Sequence, residues 1–142
     1  MLRRLIAPAA GLAMAGLVAT TAPAGAAALT FTTTMTGSQE RPVPGSPTAS
    51  GTARVTVDPA SGRICFVLLV SGLDTPTAAH IHEAPAGSPG PVVVPLPAPV
   101  NGRSAGCVTN ATEASAIAAN PSDYYVNVHT AEFPGGALRG QL

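Results

Sequence analysis

The chain has no lysine and no tryptophan, and aromatic residues make up only 4% of its 142 positions. Charged residues reach 10%, with seven basic residues, all arginine, against seven acids. A surface that binds nucleic acid needs a basic stripe to neutralise phosphates, and scattered arginines at zero net charge do not form one. With so few aromatic rings, no stacking platform for single strands or sugars is expected either. There are two cysteines, no C-x-x-C pair, and no spacing that matches a zinc motif built on thiolates. Beyond the N-terminal stretch no apolar run is long enough for a membrane span of about 20 residues, and no internal repeat or low-complexity tail is found.

That N-terminal stretch reads as a leader. "MLRR" is a basic n-region, "LIAPAAGLAMAGLVAT" an apolar h-region, and "APAGAAA" offers small residues at A-x-A spacing. Residues 1–28 are therefore expected to be a signal peptide cut after Ala26 or Ala28. No cysteine lies near the cut, so a lipoprotein anchor is not expected. The mature segment, residues 29–142, is one domain by length, with five arginines against seven acids once Arg3 and Arg4 have left. Its expected location is outside the cytoplasm, secreted or on the cell surface. There an even pair of cysteines reads as a disulfide, Cys65–Cys107, acting as a structural staple.

The mature segment alternates short β-branched or apolar runs with Pro/Gly turns, the signature of an all-β domain. "LTFTTTMT", "GTARVTVD", "RICFVLLVSGL", "TAAHIHE", "VVVPL", "RSAGCVT", "DYYVNVHT" and "ALRGQL" are the candidate strands. The third is apolar on both faces, which predicts a central strand covered on both sides. Pro95 in "VVVPL" predicts an edge. "TEASAIAAN" is the one helical candidate, with Thr112 as cap, Glu113 in the first turn, Ile117 as apolar anchor and Asn120-Pro121 as stop. The expected fold is an antiparallel β-sandwich, immunoglobulin-like or superoxide-dismutase-like, with one short connecting helix.

Two of the three histidines lie in "AAHIHEAPAGSPGPVVVPL" and the third in "YYVNVHTAEFPGGALRGQL". Together these segments resemble the CHRD domain, a module repeated in the animal protein chordin and found alone in bacterial secreted proteins. "HIH" with the following Gly87, Gly90 and Pro91, then "YYVNVHT", then "PGGALRGQL" carry the resemblance, which runs from about Leu29 to Leu142. It implies an extracellular β-sandwich and no settled activity.

Period 2 puts His80 and His82 on one face of their strand, and Tyr125, Asn127 and His129 on one face of another. If the two strands are neighbours, three imidazoles converge. Imidazole nitrogen suits copper and zinc, so His80, His82 and His129 are candidate metal ligands, with Tyr125, Asn127 and Arg139 as candidate lining residues. The arrangement resembles the copper half of copper/zinc superoxide dismutase. With no fourth histidine, however, neither the bridging ligand nor the zinc ligands of that enzyme can be supplied. The competing reading has His80 and His129 hydrogen-bonded to Tyr125, Asn127 or backbone.

Arg139 is expected to pair with Asp123, Glu132 or Glu83 as a structural salt bridge. Ser88 lacks a nucleophile-elbow context, no carboxylate spacing argues for glycoside hydrolysis, and "NAT" at Asn110 is formally a glycosylation sequon. The functional expectation is a non-enzymatic binding or surface module whose partner is a protein or envelope ligand. The alternative is a copper- or zinc-binding domain with redox capacity.

Overall fold

A computed structural model describes residues 27–142. The expected leader, apart from its last two residues, lies outside the described residues. Eight strands run in chain order: β1 Leu29–Thr36, β2 Ser50–Asp58, β3 Arg63–Ser71, β4 Pro76–Glu83, β5 Val92–Leu96, β6 Arg103–Thr109, β7 Tyr124–Thr130 and β8 Leu138–Gln141. All pairings are antiparallel, in the order β5-β4-β7-β8-β1-β2-β3-β6. The fold is all-β, as the strand pattern predicts. The Pro95-containing strand, β5, is at one edge.

The sheet is continuous but has a corner. β1 and β8 share a single register pair, Thr36 with Arg139, whereas β1–β2 and β2–β3 pair along their full lengths. The sheet curls so that its two halves enclose one core. Met35, Val55, Val57, Ile64, Phe66 and Leu68 come from one half, and Ala79, Ile81, Val94, Val126, Val128 and Leu138 from the other. Strict alternation along the strands makes this possible: Ala53, Val55 and Val57 turn inward from β2 while Arg54 stays exposed. The curl leaves each half with one outer face, and the outer face of the β5-β4-β7-β8 half carries the histidines.

Two local expectations are corrected. β3 is not covered on both sides: its outward row of Cys65, Val67 and Leu69 is half-buried to open, with Leu69 47% exposed. The reason is position, because β3 lies next to the edge strand β6 rather than in the middle of the sheet. The helix, α1 Ala111–Ala119, is capped by Asn110 and not by Thr112: Glu113 N–H donates to Asn110 Oδ1 at 3.1 Å. Asn110 N–H is itself fixed on Gly62 O at 2.8 Å, which places the cap two residues early. The side chain of the sequon is thus engaged in holding the helix. Ile117 is fully buried, together with Ala114.

Cys65 and Cys107 are bonded. They are directly opposite each other on β3 and β6, so the bond staples an edge strand to the sheet from its outer face. The sequence separation is 42 residues, a loop whose closure is worth about 4 kcal/mol in the chain-entropy picture. Replacing both cysteines by serine is expected to lower the unfolding free energy by about that amount, read from the shift of the denaturant midpoint at unchanged slope. A midpoint equal to that of the oxidised wild type would show that the staple does not stabilise the domain.

Candidate metal centre

β4 and β7 are neighbours, and their register sets the geometry of the outer face. His80 is opposite Asn127, His82 opposite Tyr125, and Ala78 opposite His129. His129 is therefore diagonal to His80 on the same face. Ala79, Ile81, Val126 and Val128 point the other way and are fully buried in the core. The ring centroid of His80 is 5.5 Å from that of His82 and 4.9 Å from that of His129. One nitrogen from each of the three rings can be chosen so that all lie within 4.8 Å of one another. For comparison, nitrogens bound at about 2.0–2.1 Å in a tetrahedral zinc site are roughly 3.3 Å apart.

Which nitrogens are free follows from their partners. His82 Nδ1 is 2.8 Å from Gly90 O and His129 Nδ1 is 3.0 Å from Pro134 O. A carbonyl only accepts, so both rings carry their proton on Nδ1 and present a bare Nε2. His82 Nε2 is buried and has no hydrogen-bond partner. His129 Nε2 faces His80 Nδ1 at 3.0 Å and Asn127 Oδ1 at 3.1 Å. The only imidazole proton left, in the neutral state, is the one on His80. Three acceptors, His82 Nε2, His129 Nε2 and Asn127 Oδ1, thus share a single donor. Burial and the neighbouring imidazoles also hold the pKa values of His80 and His129 below the ordinary histidine value, which resists filling the deficit with extra protons.

A loop and β8 close the face. Residues 84–91 fold back over it, and the backbone comes so near that a Cβ on Gly90 would run into Glu83 O. Gly90 uses both backbone groups: its carbonyl faces His82, and its N–H donates to the Tyr125 hydroxyl at 3.2 Å. Tyr125 stacks on His82, with ring centroids 4.7 Å apart and planes 10° from parallel. Its ring also carries the Arg139 guanidinium, centred 3.4 Å above the centroid.

Arg139, opposite Asn127 on β8, does not pair with Asp123, Glu132 or Glu83. Its guanidinium donates to Ser88 O at 2.7 Å, Pro85 O at 3.1 Å and Gln141 Oε1 at 3.0 Å. Gln141 in turn donates to Ala84 O at 2.9 Å. Arg139 is 1% exposed, and burial explains the correction. A buried fork of donors is best satisfied by several fixed carbonyls, whereas surface acids stay in water. Ser88 thus contributes a backbone carbonyl that holds Arg139.

The acid that does face Arg139 is Glu40, which no sequence pattern marks. It follows the short 3-10 turn Gly37–Gln39, is 1% exposed, and its backbone N–H returns to Gly37 O at 3.1 Å. Gly136 makes room for it: a Cβ there would overlap the carboxyl, and its φ of +137° suits glycine. The carboxyl oxygen Oε1 is buried without a hydrogen-bond partner. Burial raises the Glu40 pKa from 4.5 to about 7, against the lowering pull of Arg139, of the backbone hydrogen bond involving Arg41 and of Asn127.

A family model described as CHRD domain matches residues 31–142. Among curated proteins and among solved structures nothing matches the chain.

Because the folded-state pKa of Glu40 is above its unfolded value, the native state binds this proton more tightly. Stability from this group is therefore lost as pH rises from about 4.5 to about 7. The histidines, lowered in the fold, act in the opposite sense below pH 6.5, so a difference measurement is needed to isolate Glu40. The stability gap between Glu40→Gln and wild type, measured metal-free, is expected to move in favour of the glutamine variant by on the order of 2–3 kcal/mol between pH 4 and pH 8. A gap that is flat with pH would mean that Glu40 titrates as an exposed acid.

Proposed function

The chain belongs to the CHRD domain family, and we propose that it is an exported, non-enzymatic β-module that holds one copper or zinc ion on His80, His82 and His129. The observation that carries this reading is His82 Nε2, buried and without a partner while the other nitrogen of the ring is committed to Gly90 O. Buried polar atoms in folded proteins are nearly always satisfied, and an exception calls for a specific cause. A purely structural role accounts for the two Nδ1 bonds to carbonyls but not for the nitrogen left over. A metal ion accounts for both, since a ligating histidine commonly donates its second N–H to a carbonyl that fixes ring and tautomer.

The donor set selects the kind of ion. Neutral imidazole nitrogens suit copper and zinc, whereas calcium and magnesium take oxygen ligands in larger numbers. The bound ion would supply charge and a fixed coordination point on an otherwise weakly charged surface. The disulfide suits an oxidising compartment, and no described helix is long and apolar enough to cross a membrane. Both fit a secreted or surface location. A protein or envelope ligand remains the expected partner of such a module.

Metal-free protein titrated with Cu(II) or Zn(II) is expected to bind one equivalent with a dissociation constant well below 1 μM, about −8 kcal/mol or better. His82→Ala and His129→Ala should each weaken this by at least about a hundredfold, more than the 10- to 100-fold typical of losing an outer-shell partner. A hundredfold excess of free ion over the dissociation constant should also raise stability by about 2.7 kcal/mol, visible as a higher thermal midpoint. Micromolar or weaker binding that is the same in His129→Ala would remove the metal reading and leave a binding module whose histidines are structural.

A further inference from the structure

We propose that this centre is built for copper in its monovalent state: three uncharged imidazoles and the buried Arg139 cation, stacked onto His82 through the Tyr125 ring, favour Cu(I) over the divalent ions Cu(II) and Zn(II). The inference rests on the metal reading above and adds to it the charge state of the ion.

The donor set carries no charge. His82 and His129 keep their protons on Nδ1, donated to Gly90 O and Pro134 O, and so present neutral Nε2 atoms. The cluster of potential ligand atoms consists of the three imidazoles, with no carboxylate or thiolate in it. Cys65 and Cys107 are bonded to each other on β3 and β6, in the other half of the sheet. A divalent ion on such a set keeps its full double charge, and a half-buried face makes that charge costly. Coordination number acts in the same direction. Zinc takes four ligands and Cu(II) a tetragonal arrangement of at least as many, whereas Cu(I) is complete with two or three nitrogens.

The stack adds a fixed positive charge. The Arg139 guanidinium is centred 3.4 Å above the Tyr125 ring, and that ring is stacked on His82 with centroids 4.7 Å apart and planes 10° from parallel. Bonds to Ser88 O and Pro85 O hold the guanidinium in place. It is 1% exposed, so water and salt screen it poorly. An ion on His82 Nε2 would feel this charge from on the order of 10 Å; at an effective dielectric of about 20, one unit charge there shifts the balance between a divalent and a monovalent ion by roughly tenfold. Glu40 offsets part of the charge, but with a pKa of about 7 it is protonated in part at neutral pH. Arg41 lines the same small cleft as Arg139 and keeps the local balance positive. A face arranged in this way penalises the second charge of a divalent ion more than the first.

The test is competitive titration of wild type, Arg139→Gln and Arg139→Lys with Cu(I), kept reduced by ascorbate in the absence of oxygen, and with Cu(II) and Zn(II). Wild type is expected to bind Cu(I) more tightly than either divalent ion. Arg139→Gln, which removes the charge, should cut the ratio of Cu(I) to Cu(II) affinity by about tenfold, equal to a fall of about 59 mV in the one-electron reduction potential. The ratio of Cu(I) to Zn(II) affinity should fall alike. Arg139→Lys should stay within about threefold of wild type in both ratios, since it keeps the charge while losing the fork that holds the loop. Ratios are the readout because a loosened loop weakens the binding of every ion. An unchanged ratio in Arg139→Gln, or a fall in Arg139→Lys as large as in Arg139→Gln, overturns this inference while the metal reading stands. So does wild type that binds Cu(II) or Zn(II) as tightly as Cu(I), and that comparison decides alone should Arg139→Gln not fold. If wild type binds none of the three ions, the metal reading fails and takes this inference with it.

Discussion

The pairing of β4 with β7 is the constraint on which the polar face depends. In this register Ala79 and Ile81 meet Val128 and Val126 on the core side, and all four are fully buried. The intervening residues have no choice but the outer face, which is how His80 comes opposite Asn127 and His82 opposite Tyr125. A slip of one residue would send the imidazoles into the core and the aliphatic side chains into solvent. The hydrophobic free energy of four core positions therefore fixes the mutual placement of the polar ones. Irregularities in pairing are confined to places where they leave that relation intact: between Pro76 and Ala78 toward β7, and between Ile81 and His82 toward β5.

Register alone brings the rings near one another; the loop over residues 84–91 decides how each is turned. Its carbonyls are held by Arg139 and Gln141 from β8, and Gly90 passes the order on to His82 and Tyr125. Arg139 on Tyr125 and Tyr125 on His82 form one stack across three adjacent strands. The lone pair of His82 is thus aimed by groups that are themselves fixed by packing and hydrogen bonds. That kind of support keeps a site from being loose.

Much of this was legible in the sequence, and the failures have common causes. Alternation in "TAAHIHE" and "DYYVNVHT" assigns every residue of the polar face to its correct side, because period 2 is enforced wherever the opposite side is core. "ALRGQL" likewise gives Leu138 to the core and Arg139 to the polar face. Glu40 was not legible. It is in a Pro/Gly-rich loop with no periodicity, and it reaches the face only because β1 and β8 meet at a corner that no local pattern encodes. The partners of Arg139 escaped for another reason: they are backbone carbonyls, which every residue type carries equally. The exposed outer row of β3 depends on strand order, and strand order is a non-local property. Asn110 and Thr112 are both good caps by type, and a single bond to Gly62 O selects the first.

The polar face departs from what stability alone would select, and it does so in one small region. His82 Nε2 is buried without a donor. His129 Nε2 and Asn127 Oδ1, both acceptors, face each other. Glu40 holds a carboxyl in the interior, with one oxygen unpartnered, where an amide would be cheaper to bury. The first two of these involve residues on the outer face of the sheet, away from the core side chains of the same strands. Natural sequences tolerate such local conflicts mainly where function requires them. All three have the same character: an excess of acceptor lone pairs over donors. A cation between the imidazoles would engage His82 Nε2 and His129 Nε2 together, which a hydrogen bond to any single atom would not do.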